Sequence, residues 1–124
     1  MNIVGDSVYI SDRQYLYEYN YRLKKTTQLI KLLPNERFYN IQNGKRFRFA
    51  NDGTIFYKKI AYSNRDETIG NAFIFAFDKT TKESKSLFET ALAYNGDDLL
   101  KMHEAKRNVY FIGNKVINFK PKIQ

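Results

Sequence analysis

Apolar and polar residues alternate with a period of two along several stretches of this chain. In YLYEYNYR, Tyr15, Tyr17, Tyr19 and Tyr21 fall on one face, and Leu16, Glu18, Asn20 and Arg22 on the other. In AFIFAFD, Phe73, Phe75 and Phe77 oppose Ala72, Ile74, Ala76 and Asp78. In KRFRFA, Phe47 and Phe49 alternate with Arg46 and Arg48. Successive side chains of a strand point to opposite faces, so each stretch predicts a strand. Turn chemistry separates the stretches. Asn43-Gly44, Asp52-Gly53 and Asn95-Gly96 supply residues that tolerate positive φ, and Gly113-Asn114 is a two-residue hairpin signal. The polar segments LKKTTQ (23–28) and DKTTKES (78–84) read as connections to later strands at 29–33 and at Leu87 and Phe88. Pro34 ends the first of these, because proline cannot donate to a ladder. Helical signal is confined to 97–105, where Asp97 or Asp98 could cap one turn.

The alternating stretches recur. Val8-Tyr9, Ile55-Phe56 and Val109-Tyr110 each open a strand after a short polar stretch, and each is followed by a second strand, at 15–21, 73–77 and 116–119. The first two copies continue through a Thr-Thr turn into a third strand. A spacing of about 50 residues suits a three- or four-stranded meander. The polar segment AYSNRDETIGN (61–71) reads as a hairpin insertion in the second copy. A third copy favours a strand over 99–103 rather than the helical turn. The pattern predicts a single all-β domain, 1–124, of antiparallel meanders in about two and a half repeats.

Composition sharpens this picture. Ten Tyr and ten Phe in 124 residues, with no Trp, favour strands. Ten tyrosines exceed what a small core holds, since each buried hydroxyl needs a partner. Some are therefore expected on an exposed surface, with the core the commoner place for any single one except Tyr39, Tyr57 and Tyr62, which neighbour Lys, Arg or Asn. The absence of cysteine excludes disulfides and thiolate metal sites and fits a reducing compartment. MNIVGDSVYISD lacks the regions of a signal peptide, and no apolar run reaches the roughly 20 residues of a membrane helix. A soluble cytoplasmic protein without a membrane partner is expected. The net charge of +8 is concentrated in 22–48, where eight Lys and Arg face only Glu36.

Chemistry-bearing patterns are few. His103, the one histidine, stands beside Glu104, a pairing that could serve a general base but is commonly structural. No serine lies in a Gly-x-Ser-x-Gly context, and one histidine cannot anchor a zinc site. Asp66-Glu67 and Asp97-Asp98 read as solvated turn residues, and the scattered glycines form no phosphate-cradling loop. No enzyme activity, catalytic residue, metal or cofactor is expected.

Two family resemblances attach to these residues. GTIFYKK…NAFIFAFDKTTKESKSLFE resembles a β-propeller blade of the kelch-like kind, and AKRNVYFIGNKVINF is similar to the DKNYY repeat. In the latter, Lys106, Arg107 and Asn108 take the turn, Val109 and Tyr110 the strand, and Gly113-Asn114 the hairpin, while Lys106 replaces the family's Asp and Phe111 its third aromatic. The resemblances imply repeated β-meanders and carry no active-site residues. A closed propeller takes at least four blades, so two and a half units imply a partial propeller, an open sandwich or barrel, or half of a dimer. Monomer and homodimer both remain open.

Two functions follow. In class and composition the chain resembles bacterial immunity proteins, which implies an interaction module that neutralises a cognate protein toxin by covering it. The alternative is single-stranded nucleic-acid binding through a basic aromatic face. The partner-binding residues expected are Arg46, Phe47, Arg48, Tyr57, Lys58 and Lys59, with Tyr39 and Tyr17.

Overall fold

The computed structural model describes residues 2–42 and 44–91 together with Leu100, and the backbone of 109–112 and 115–118; at Asn2 the backbone alone is described. Eleven strands are present among the described residues: β1 (Asn2–Val4), β2 (Ser7–Ser11), β3 (Tyr15–Asn20), β4 (Lys25–Lys31), β5 (Glu36–Tyr39), β6 (Phe47–Phe49), β7 (Thr54–Tyr62), β8 (Gly70–Asp78), β9 (Glu83–Thr90), β10 (Val109–Ile112) and β11 (Lys115–Asn118). All pairings are antiparallel. The first sheet runs β1-β2-β3-β4 and the second β5-β7-β8-β9, with β6 also on β7. β10 and β11 form a hairpin. The fold is all-β, built from open meanders, as the alternation and the repeat predict. The three doublets lie in β2, β7 and β10, and the strands that follow them are β3, β8 and β11.

The repeat extends to its turns. Asn20 pairs with Lys25 and Asp78 with Glu83, so each connection is a four-residue loop. In each loop the last residue has positive φ, 53° at Lys24 and 60° at Lys82. The last residue of each preceding strand caps the loop. Asn20 Oδ1 accepts the Leu23 amide at 2.9 Å, and Asp78 Oδ1 accepts the Thr80 amide at 2.8 Å. Side chains of this type close turns on their own backbone. The connections are thus shorter than the polar segments suggested. Lys25, Thr26, Thr27 and Gln28 belong to β4, an edge strand whose polar residues can stand in solvent. The short strands β1 and β5 carry too little alternation to be read beforehand. Tyr21 lies in the turn after β3, its hydroxyl donating to the Gly5 carbonyl at 3.0 Å. Of the earlier expectations, the Asn95-Gly96 and Gly113-Asn114 turns and most of 97–105 lie outside the described residues. Leu100, where a strand was expected, is helical and buried.

The two larger sheets pack face to face. Tyr9, Leu16, Ile30 and Leu32 from the first side meet Phe38, Phe47, Ile55, Tyr57 and Phe77 from the second. The other face of the second sheet buries Phe56, Ile74 and Phe88 with Ile41, Ala50 and Leu100. β7 is therefore buried on both faces, which explains why its sequence, TIFYKKIAY, reads as a continuous run and not as a clean alternation. The aromatic rings interlock. Phe38 meets Phe47 and Tyr57 edge-on at 4.9 and 5.4 Å, and Tyr57 stacks on Phe75 at 5.4 Å. Such arrangements add about 0.5–1.5 kcal/mol each beyond area burial.

A charged clamp joins the sheets. Glu18 of β3 accepts hydrogen bonds at Oε2 from the Ser7 hydroxyl at 2.6 Å and the Lys79 ammonium at 2.7 Å, and more weakly from the Tyr9 hydroxyl at 3.3 Å. Lys79, in the β8 to β9 turn, also donates to the Tyr9 hydroxyl at 2.8 Å. Burial alone would raise the Glu18 carboxyl, but the Lys79 ammonium and the two hydroxyls outweigh it and hold it below the usual carboxylate range. Burial likewise opposes the Lys79 charge, and Glu18 and Tyr9 overcome it and hold the ammonium above its ordinary value. A depressed carboxylate stabilises the fold above its unfolded value and loses that contribution as pH falls through the folded value. Glu18→Gln should cost about 1–2 kcal/mol at pH 7. The gap from wild type should narrow as pH falls from the unfolded value through the depressed folded value, where the folded side chain also becomes neutral. Urea denaturation at pH 7 and pH 3 reads both effects.

Candidate functional site

The direction of β3 decides what the first sheet shows to solvent. Leu16 is fully buried and points with Glu18 toward the second sheet. Tyr15, Tyr17 and Tyr19 therefore point away from it, by the period of two. Cross-strand partners share a face, so Ile10 opposite Tyr17 and Val8 opposite Tyr19 stand with them, and Ile3 lies opposite Val8. From β4, Lys31, Gln28 and Thr26 face Tyr15, Tyr17 and Tyr19. The outer face thus carries three tyrosines, three aliphatic side chains and one cation, with no carboxylate. Ile3 and Ile10 are 67% and 48% exposed, and the three tyrosines are half-buried. The Tyr15 and Tyr17 rings stack at 5.9 Å, 15° from parallel. Hydroxyl chemistry explains the arrangement. Buried Tyr9 and Tyr57 each have a hydroxyl partner, Glu18 with Lys79 for one and Ser84 at 2.8 Å for the other. Tyrosines on an open face hydrate their hydroxyls and need no such partner.

The basic end of the sheet adjoins this face. Arg22 and Lys24 lie in the turn between β3 and β4, and Lys25 begins β4. Arg22 pairs with Asp6 at 3.2 Å, an exposed contact.

The residues expected to bind a partner do not form one surface. Tyr17 belongs to the outer face just described. Phe47 and Tyr57 are in the core between the sheets, so neither presents a ring for stacking. Burial pushes the Tyr57 hydroxyl up to about 12, with the Glu36 charge adding to it against the Ser84 hydrogen bond. Lys58 is fully buried on the opposite face of β7, its Nζ 5.7 Å from the Tyr39 ring centre. Lys59 points back toward the first cluster, pairs with Glu36 at 3.0 Å and lies 4.2 Å over the Phe75 ring. Arg46 is half-buried at the mouth of an intersheet pocket, Arg48 is half-buried in β6, and Tyr39 is 41% exposed. The stretch KRFRF alternates as expected, but its aromatic face is the core. Tyr57 was expected outside on the strength of its lysine neighbours, and those neighbours are themselves buried or paired.

Among the described residues no three His, Asp or Glu side chains gather as metal ligands would. Nor, among them, is any helix long and apolar enough to cross a membrane. Glu67, one of the paired carboxylates, is held by Arg13 at 2.8 Å and Arg37 at 3.1 Å, and its neighbour Asp66 is exposed. His103, Glu104, Asp97 and Asp98 lie outside the described residues. No protein-family model, curated protein or solved structure matches this chain.

The buried lysine gives the fold a pH signature. Burial pulls the Lys58 ammonium down to about 8. Between that value and the unfolded value near 10.4 the unfolded chain binds the proton and the folded chain does not, so stability rises with pH across that window. The rise should be on the order of 2 kcal/mol from pH 7 to pH 10. It should be absent from Lys58→Met, measured by urea denaturation across the same range.

Proposed function

We propose that the chain is a non-enzymatic protein-binding module that recognises its partner through the outer tyrosine face of the first sheet. The observation that carries this reading is the grouping of Tyr15, Tyr17 and Tyr19 with Ile3, Val8 and Ile10 on the outer face of the first sheet, which leaves Ile3 and Ile10 exposed among the described residues. Tyrosine offers a large contact area at small entropic cost and dominates many interface centres. The partner surface is acidic. Among the described residues the face holds Lys31 and no carboxylate, and Lys24 and Arg22, the latter paired with Asp6, lie in the turn at its end. Opposite charge at the rim steers encounter and selects among partners.

The particular form we favour is an immunity protein that neutralises a cognate toxin by covering it. A rigid sheet face with aromatic anchors suits a preformed inhibitor, because little ordering is left for binding to oppose. A basic inhibitor suits a toxin with an acidic exposed face.

Co-expression with proteins encoded by neighbouring reading frames, followed by tagged purification with nuclease present, tests the reading. One protein should copurify stoichiometrically. Ile10→Ser with Tyr17→Ala should weaken its binding by tenfold or more. An unchanged affinity in that double variant would remove the tyrosine face from recognition. Retained material that disappears with nuclease would move the function to nucleic acid.

A further inference from the structure

β5 and β6 lie end to end along one side of β7. Tyr39 pairs with Lys58 and Phe47 with Tyr57, adjacent positions on β7. The two strands are one edge strand in two pieces, and the described residues between them, 40–42 and 44–46, are looped out where the ladder itself leaves no gap. The loop is built. Ile41 is fully buried in the second cluster and anchors it. Gln42 bridges to Lys45, whose amide donates to the Gln42 carbonyl at 2.8 Å, and Gly44 takes a φ of 75°. Interruptions of this kind sit at sheet edges where a side chain is re-aimed, and loops on a rigid scaffold commonly carry binding.

Asn40, Gly44, Lys45 and Arg46 of the loop line a pocket of about 330 Å³ between the two sheets. Buried Tyr9, Leu16 and Phe47 line it together with exposed Lys45 and half-buried Arg46. Ser11 and Asn40 add neutral donors, and among the described residues no carboxylate lines it. Neither cation is in an ion pair among the described residues. Glu18, which touches Tyr9, is already neutralised by Lys79. Two neighbouring cations attract an anion, and the partial burial of Arg46 strengthens its share relative to open water. The guanidinium fork matches the oxygens of a phosphate in pairs, and the ammonium adds a point charge. The volume is at the small end of ligand pockets and suits a phosphate-bearing group rather than a large ligand.

We propose that this pocket is an oxyanion site in which Lys45 and Arg46 hold a phosphate group, with Ser11 and Asn40 as neutral donors. It is separate from the tyrosine face, so each reading can fail without the other.

The test is a titration of the ¹⁵N-labelled full chain with inorganic pyrophosphate at fixed ionic strength, followed by amide chemical shifts. Saturable shifts should centre on Ser11, Gly44, Lys45 and Arg46, with a dissociation constant below about 1 mM. Lys45→Gln with Arg46→Gln should weaken binding at least tenfold, and Tyr17→Ala should leave it unchanged. A thermal melt establishes that the double variant is folded. A thymidine hexanucleotide in a parallel titration identifies the source of the phosphate. Tighter binding than pyrophosphate at the same amides assigns it to a nucleic acid, and weaker binding assigns it to a small ligand. Shifts reproduced by chloride, shifts retained in the folded double variant, or no saturation would each overturn the site.

Discussion

Leu16 points inward from β3, and the rest of the first sheet follows from that direction. A strand has two faces, and a slip of one residue exchanges them along its whole length. With Leu16 inside, Glu18 reaches Lys79 across the sandwich, and Tyr9 lies where its hydroxyl completes the same cluster. With Leu16 inside, Tyr15, Tyr17 and Tyr19 are outside. The inward face therefore has one fully buried aliphatic side chain and a paired charge, while most of the aromatic surface of β3 is left for solvent or a partner.

The second sheet obeys a different constraint. β7 is covered on both faces, so its lysines cannot follow the usual rule that charge points to water. Lys59 meets it by pairing with Glu36 over the Phe75 ring. Lys58 meets it through a depressed ammonium beside Tyr39. The positive charge of the chain is thus not a single solvated patch. Some of it lies inside the fold, and of the basic stretch 22–48, Arg22, Lys24, Lys25 and Lys31 lie in or before β4, Arg37 pairs with Glu67, and Lys45 and Arg46 lie in the loop that interrupts the edge strand.

Much of the fold was legible in the alternation and the repeat, because both are local consequences of the pleat. The faces of β3 and β8 could be separated by counting. Which face turned inward could not, because a row of tyrosines and a row headed by Leu16 are each compatible with a core until the second sheet is placed. KRFRF misled for the same reason. Its arginines suggested a surface, but Phe47 and Phe49 face the core between the sheets, and Arg48 stands opposite buried Phe56 on the other face, which is covered as well. Asn43-Gly44 marked a turn before KRFRF, but β5 and the pocket were invisible because four residues of strand and a site assembled from two sheets leave no periodic trace. Ser11 and Arg46 are 35 positions apart, and only the packing of the sheets brings them to one pocket.

The outward direction of the β3 tyrosines supports the functional reading and is open to direct measurement. The chain has no cysteine, so single cysteines can be introduced at Leu16 and Tyr17 without background. Their reaction with a maleimide under native conditions, relative to the rate in urea, reports which face of β3 meets solvent. Tyr17→Cys should react at a rate close to its rate in urea, and Leu16→Cys should be protected by at least tenfold. Protection at Tyr17 with free reaction at Leu16 would mean that the strand lies the other way round, and the tyrosine face would be the core.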